Sequence, residues 1–332
     1  MSSIAVVMAT FNGEEWLETQ LQSIASQTRL PEQLIISDDG STDHTIEIAM
    51  KFAKSAPFDV QLLEGPQKGN GENFWFAGKH AQTDIIAWCD QDDYWFPQKL
   101  QVCEHYMESY QVQSLSHSAR VTDENLTPTA RLFPHYKKTC VFEPLMGDPW
   151  WVAPGFTMMV RVDFLQSLRW EDRPLSHFCN GLLGHDDIIQ LLAFSSGRRM
   201  QVSDVLAKYR QHRQNVAGAP RVNGFFENIK IALNSDPSQY SDLASFAVGY
   251  EKFIAACEPL NAQAIGYFAR MGSRCLRRSR IHQSQNRTAR ARRFVNSLGR
   301  GDFGRRKHGG FGLLALARDA VSIGLPVNQV TT

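Results

Sequence analysis

A chain of 332 residues with 43% hydrophobic and 21% charged side chains can bury a sizeable core, which excludes a disordered or low-complexity protein and allows one large α/β domain with an appendage. Six scattered cysteines (Cys89, Cys103, Cys140, Cys179, Cys257, Cys275) form no Cys-x-x-Cys pair, which argues against a zinc site or a disulfide framework and fits a reducing cytosol. The net charge of +1 conceals an asymmetry: residues 270–307 carry 13 Lys/Arg and one acid, Asp302, while the rest of the chain carries 22 basic and 33 acidic residues.

Met1-Ser2-Ser3 leads directly into the apolar run Ile4 to Ala9, with no basic leader, so no secretory signal is expected. That run reads as a buried strand. Thr10-Phe11-Asn12-Gly13 is the turn after it, and Glu14 to Gln27 reads as an amphipathic helix with Trp16, Leu17, Leu21 and Ile24 facing the core. A second strand, Gln33 to Ser37, ends in Asp38-Asp39-Gly40-Ser41-Thr42-Asp43, before a helix over Thr45 to Lys54. Ser41, Thr42 or Asp43 can cap that helix. Asp38 and Asp39 exceed what a cap needs, and carboxylates at a strand's end suit a ribose hydroxyl or a base N–H. Val60 to Leu63 is a third strand. Gly69-Asn70-Gly71-Glu72-Asn73 opens a helix through His80; no Gly-Lys-Ser/Thr follows, so it is not a Walker loop, and it reads equally as a plain helix start or, Asn73 included, as a donor-side turn whose glycines cradle phosphate.

The fourth strand, Ile85 to Cys89, ends in Asp90-Gln91-Asp92-Asp93. Three carboxylates so close repel one another unless a cation or proton lies between them. Oxygen donors without His or Cys beside them suit Mg²⁺ or Mn²⁺. Asp93 also reads as the cap of a helix starting near Pro97. The alternation of strand and helix implies a parallel, doubly wound sheet.

Three of these turns together carry a resemblance. Met8 to Glu14, Ile36 to Asp43 and Cys89 to Trp95, in this order and spacing, resemble the family-2 inverting glycosyltransferases, and more narrowly their bacterial rhamnosyltransferase-like members. The resemblance covers residues 4 to 218. It implies the GT-A fold, a Rossmann-like, mostly parallel sheet with flanking helices, over residues 1–220. Residues 1–110 would be the nucleotide-sugar half and 111–220 the acceptor half, with a helical, basic region over 221–332. It also implies a dTDP- or UDP-sugar donor, Mn²⁺ or Mg²⁺, and a lipid-linked or glycan acceptor in bacterial cell-surface polysaccharide assembly. By this carry-over Thr10, Asn12 and Asp39 hold the nucleoside, Asp90 contacts the nucleoside or metal, and Asp92 the metal and diphosphate. Phe11 stands where Tyr is more usual.

Pro97 to Tyr110 reads as a helix and Gln113 to Val121 as a strand whose Ser116-His117-Ser118 faces a cleft, with Ala119 where similar proteins have Asp. Thr127 to Trp151, rich in Pro and aromatics, reads as an acceptor-side loop. Gly155 and Phe156 lie in a glycine turn before a strand, whose family counterpart borders the acceptor; Met158 and Met159 read as core. Gly184-His185-Asp186-Asp187 starts a helix. The resemblance places the catalytic base there, at Asp186 with Asp187 as the next choice, and His185 on the acceptor side. After a strand over Val205 to Tyr209, the run Tyr209 to Gly218 resembles the family's closing motif. It makes His212 a metal-side candidate, with Arg210 behind it.

Phe225 to Ile254 reads as mostly helical, Ala262 to Arg293 as one or two basic helices, and Gly299 to Gly312 as a Gly/Arg-rich linker. No nucleic-acid module is recognisable there. A solvated helix face is the default reading of these arginines; given the enzyme reading, a peripheral position on the anionic inner face of the plasma membrane is more coherent, and the apolar run Phe311 to Leu325 is interrupted by Arg318-Asp319, so no span is expected. Three rival readings are weaker. A sugar-nucleotide pyrophosphorylase wants a basic phosphate loop after the first strand, and Ala-Thr-Phe-Asn-Gly has no basic residue. A glycoside hydrolase wants two acids flanking a glycosidic bond rather than acids clustered at strand ends. A decayed, non-catalytic sugar- or membrane-binding module would not be expected to keep every acid.

Overall fold

The computed structural model describes residues 1–149, 153–176, 181–215, 218–219, 239–257, 261–284, 286–303, 316 and 319–320. Contacts divide the chain into two compact units. One comprises Met1–Pro144, Val152–Leu168 and Leu183–Ala219; the other comprises Leu145–Trp151, Arg169–Leu182 and Pro220–Thr332.

The first unit is built on a ten-stranded sheet. Strands β1 (Ile4–Thr10), β2 (Gln33–Asp38), β3 (Asp59–Glu64) and β4 (Ile85–Cys89) lie in the order β3-β2-β1-β4 and all run parallel. All seven residues of β1 and all five of β4 are buried, which is why each reads as an unbroken apolar run rather than an alternation. Helices α1 (Leu17–Ala25), α2 (Thr45–Ala53) and α3 (Asn70–Gly78) connect them. The register sets Thr10 opposite Asp38 and Met8 opposite Cys89, so the turns after β1, β2 and β4 emerge side by side.

Beyond β4 the sheet is mixed. It continues through β9 (Met158–Arg161), β6 (Ser114–Thr122), β10 (Arg199–Arg210) and the short β5 (Tyr94–Trp95), with β9 antiparallel to both neighbours, β6 and β10 parallel, and β5 antiparallel to β10. The β5–β10 pairing brings the segment after β4 against Arg210. Helix α4 (Lys99–Tyr110) begins at Lys99 behind Gln98 with no side-chain cap, so Asp93 does not cap it. The short α5 (Val162–Leu165) follows β9, and α6 (His185–Ser196) precedes β10.

The expected loop over 127–151 contains two strands, β7 (Pro128–Leu132), paired with β6, and β8 (Cys140–Phe142), paired with β10. Both are partly exposed and lie off the main strand path, so they lack the apolar alternation that reveals a strand. β10 also starts six residues before the expected Val205.

In the second unit α7 (Gln239–Ala256) and α8 (Ala262–His282) pack along each other, with Tyr250 edge-on to Phe268 at 5.6 Å. Helix α9 (Arg287–Gly299) follows. Asn261 and Asn286 cap α8 and α9 by accepting from Ala264 N–H (2.9 Å) and Thr288 N–H (2.8 Å). No helix among the described residues is long and apolar enough to cross a membrane. Most of the expected stretches 225–238 and 299–312, and of the run Phe311 to Leu325, lie outside the described residues.

Candidate active site

Asp90, Asp92 and Asp93 follow β4 and offer carboxylate oxygens all within 4.8 Å of one another. Among the described residues they are the one such group of acid, His or Cys side chains. Asp93 has no exposure. Its Oδ1 accepts the Arg210 backbone N–H at 3.0 Å, while its Oδ2 is buried without a partner. Burial, then the charges of Asp92 and Asp90, push Asp93 well above the carboxylate range. Burial, Asp92 and Asp186 push Asp90 up to about 8. A like-charged trio with one member fully buried and one oxygen orphaned is costly as it stands, and a divalent cation removes both penalties. The all-oxygen donor set fits Mg²⁺ or Mn²⁺.

The surroundings fix this cluster. The Arg210 guanidinium donates to the carbonyls of Asp92 (2.6 Å) and Glu124 (2.6 Å), and its plane lies 4.5 Å from the centre of the Trp16 ring. His212 stacks on Trp16 at 5.0 Å. Its Nδ1 accepts the Gln214 N–H (3.2 Å), which places the ring proton on Nε2, and Nε2–H donates to Asp92 Oδ2 at 2.7 Å. Asn215 donates to the same oxygen at 3.2 Å. His212 therefore enters the site as the donor that orients Asp92, rather than with a free lone pair.

Beneath the cluster lies Lys99, fully buried. Its Nζ donates to the Phe156 carbonyl at 2.7 Å and stands 3.3 Å from the centre of the Trp95 ring. Burial brings its pKa down to about 7, and its charge in turn favours the ionised forms of Asp90 and Asp93. Sequence reasoning missed Lys99, although its spacing puts it on the apolar stripe of α4 with Cys103 and Met107.

The β1 and β2 turns are locked together. Asp38 accepts from Thr10 Oγ1 (2.8 Å), Gly40 N–H (3.1 Å), Ser41 N–H (2.7 Å) and Ser41 Oγ (2.6 Å), so it shapes the turn. Asn12 is left-handed (φ 45°) and its Oδ1 accepts Thr42 N–H at 2.9 Å. Asp39 accepts the backbone N–H groups of Gln67 (2.7 Å) and Gly69 (2.8 Å), one on each oxygen, and each oxygen keeps a second lone pair for a ligand. Gln91, between two of the acids, clasps the Phe11 backbone by N–H and carbonyl, both at 3.0 Å. A Cβ on Gly13 would run into the Gln91 side-chain amide, so a larger residue there would displace the Gln91 clasp on Phe11.

Asp186 lies in the first turn of α6. Its oxygens accept the N–H groups of Asp187 (2.9 Å) and Gly155 (3.3 Å), and its charge is felt by Asp90. Asp187 reaches back to accept the Gly184 N–H (3.4 Å) at the helix start; burial and Asp186 raise it to about 7. The acids after β4 and those at the start of α6 are thus linked electrostatically, through Asp90 and Asp186.

Residues 5–168, about half of the chain, match the profile of Glycosyl transferase family 2. The chain belongs to that family. Over 98 residues it is 41% identical to the dTDP-rhamnosyl transferase RfbG of Shigella flexneri, a match covering 28% of this chain and 34% of the relative. The chain therefore spans about a third of that relative's length in the match. Over 246 residues it is 27% identical to an uncharacterized glycosyltransferase of Nostoc sp., covering 69% of this chain and 76% of that one. The GT-A fold is shared with the crystal structure of S. aureus TarS 1–349 in complex with UDP-GlcNAc, with a TM-score of 0.56, 19% identity, and coverage of 90% of this chain and 80% of that chain.

Four residues expected to line the substrate site of this family-2 transferase do not. Asn73 is buried and closed on itself, accepting from Ser37 Oγ (2.6 Å) and donating to the Ser37 carbonyl (2.8 Å). His117 is fully buried, with Nδ1 on the Ser118 carbonyl at 2.9 Å, and Ser116 and Ser118 are buried with it, so Ser116-His117-Ser118 does not face an open cleft. Phe156 is core, stacked on Tyr209 at 4.8 Å. His185 is clamped against Phe74 (4.0 Å) and Trp88 (5.2 Å). Gly155 sits against that clamp, since a Cβ there would lie 2.5 Å from His185 Nε2. These rings hold the α6 N-terminus, and with it Asp186, in place.

Proposed function

We propose that the chain transfers a sugar from a nucleoside diphosphate donor to an acceptor hydroxyl with inversion, residues 1–110 forming the donor half and 111–220 the acceptor half. The observation that carries this reading is the Asp90–Asp92–Asp93 cluster at the carboxyl end of the parallel strand β4, with the charge of Asp186 reaching Asp90. Thr10, Asn12 and Asp39 stand on the nucleoside side, Thr10 and Asn12 by holding the two turns together and Asp39 through its remaining lone pairs. Asp90 and Asp92, with Asp93 behind them, would hold Mn²⁺ or Mg²⁺. When bound, such an ion neutralises the charge that develops on the leaving diphosphate. Asp186 takes the proton of the acceptor hydroxyl as its oxygen bonds to the anomeric carbon and the bond to the diphosphate breaks. A single displacement inverts the anomeric centre.

The similarity to RfbG supports dTDP-rhamnose as the first donor to try, and the likeness to a UDP-GlcNAc-bound fold supports UDP-hexoses as the second. A lipid-linked or glycan acceptor in cell-surface polysaccharide assembly, met at the cytoplasmic face of the membrane, completes the reading. The test is a donor panel with Mn²⁺, followed by nucleoside diphosphate release. One sugar nucleotide should be turned over well above the rest. Equal, Asp186-independent hydrolysis of all donors would refute the assignment.

A further inference from the structure

We propose that helices α8 and α9 form a docking surface for an anionic lipid bilayer. Neither helix contains an Asp or Glu. The one acid between residues 270 and 307, Asp302, is buried and occupied: Arg277 binds it with both nitrogens (2.8 and 2.6 Å), Ser297 Oγ donates at 2.6 Å, and Arg274 lies at 3.8 Å. Asp319 is likewise buried and held by Arg278 and His282. The acids of this unit that touch α8 therefore face inward, and their partners are the inward arginines. Arg270, Arg280, Arg287, Arg292, Arg293 and Arg300 are exposed and form no ion pair among the described residues.

The scaffold beneath this charge is fixed. Asp302 ties the end of α9 to Arg277 of α8, and Arg293 donates to the Arg280 carbonyl. Leu276 (42% exposed) lies one turn from Arg280 on α8, while Val295 (62%) lies one turn from both Arg292 and Leu298 (42%) on α9. Exposed aliphatic side chains among arginines are the pattern of a helix lying in the headgroup region, where the apolar groups enter the acyl boundary and the cations meet phosphates. Single-stranded nucleic acid wants exposed aromatic rings to stack its bases. The exposed large apolar side chains of α8 and α9 are all aliphatic, and Phe294 and Phe303 pack on each other at 5.6 Å. The observations favour lipid.

The test is co-sedimentation of the full chain with vesicles of equal parts phosphatidylglycerol and phosphatidylcholine, against vesicles of phosphatidylcholine alone. The protein should partition onto the anionic vesicles and not the zwitterionic ones. Each cation near such a surface is worth about five-fold in partitioning, so Arg270→Gln/Arg280→Gln/Arg292→Gln together should weaken it about a hundredfold. Val295→Ser/Leu298→Ser should weaken it further. Equal binding to both vesicle types, an unchanged triple variant, or tighter binding to a single-stranded RNA oligonucleotide than to vesicles would overturn the proposal. The melting shift of the triple variant with UDP and Mn²⁺ reports on the other unit, so loss of lipid binding is distinguishable from failure of the transferase reading.

Discussion

Asp93 at the strand ends and Asp319 beneath α8 are both carboxylates with no exposure, yet the protein treats them oppositely. Burial alone would raise both. At Asp319, hydrogen bonds from Arg278 and His282 more than reverse that and hold the group below its usual range. Around Asp93 the nearest charges are two more acids, so they add to burial, and one oxygen stays unpartnered. A buried acid that is fully paired holds a fold together; a buried acid left in conflict marks a place where something is meant to bind.

The largest test of the contrast lies on the unpaired side. Asp186→Asn should reduce nucleoside diphosphate release by about 10²–10⁴-fold while leaving the UDP–Mn²⁺ melting shift intact. On the paired side, Arg278→Met leaves Asp319 and His282 buried beside an apolar chain and should lower stability by about 3–5 kcal/mol, read from the urea midpoint. Asp93→Asn should act in the reverse direction and raise the metal-free stability at pH 8, because an amide carries neither the disfavoured charge nor the proton uptake that replaces it; a loss there would contradict the picture of conflict. Gly155→Ala pushes a Cβ into His185 and should cost about 1–3 kcal/mol, with the Asp186 turn displaced.

The smallest effect is a pH trend. Asp90 keeps its proton to about pH 8 when folded, whereas an unfolded Asp loses it near pH 4. Between those values the folded state binds more protons, so metal-free stability falls as pH rises through the window and then levels. Asp319 contributes the opposite slope: its stabilisation is present above the unfolded value and is lost as pH falls through its lowered one. Thermal melts of Asp90→Asn across pH 5–8 should show a shallower downward trend than the wild type, the remainder belonging to Asp93 and Asp187.

The parts of this architecture readable from residues alone are those with one physical cause. β1, β2 and β4 are buried runs, and acids clustered at the ends of β2 and β4 have no place in an apolar core. The edge strands β7 and β8 were hidden because partial exposure leaves no alternation. His117 and Asn73 read as site residues because a polar side chain in a strand or helix start carries no sign of which way it faces; in the fold one is fully buried within β6 and the other is taken up by Ser37. Asp93 has the same composition signal whether it caps a helix or joins a cluster, and the pairing of β5 with β10 decides it. Lys99 was visible only as a lysine out of place on an apolar stripe.

The central claim is that these acids share one cation and one nucleoside diphosphate. Isothermal titration of UDP in Mn²⁺ and in EDTA, on the wild type and on Asp92→Ala, tests it most directly. The account predicts that Mn²⁺ tightens UDP binding in the wild type and has no effect in the variant. UDP bound with the same affinity in EDTA as in Mn²⁺ would contradict it.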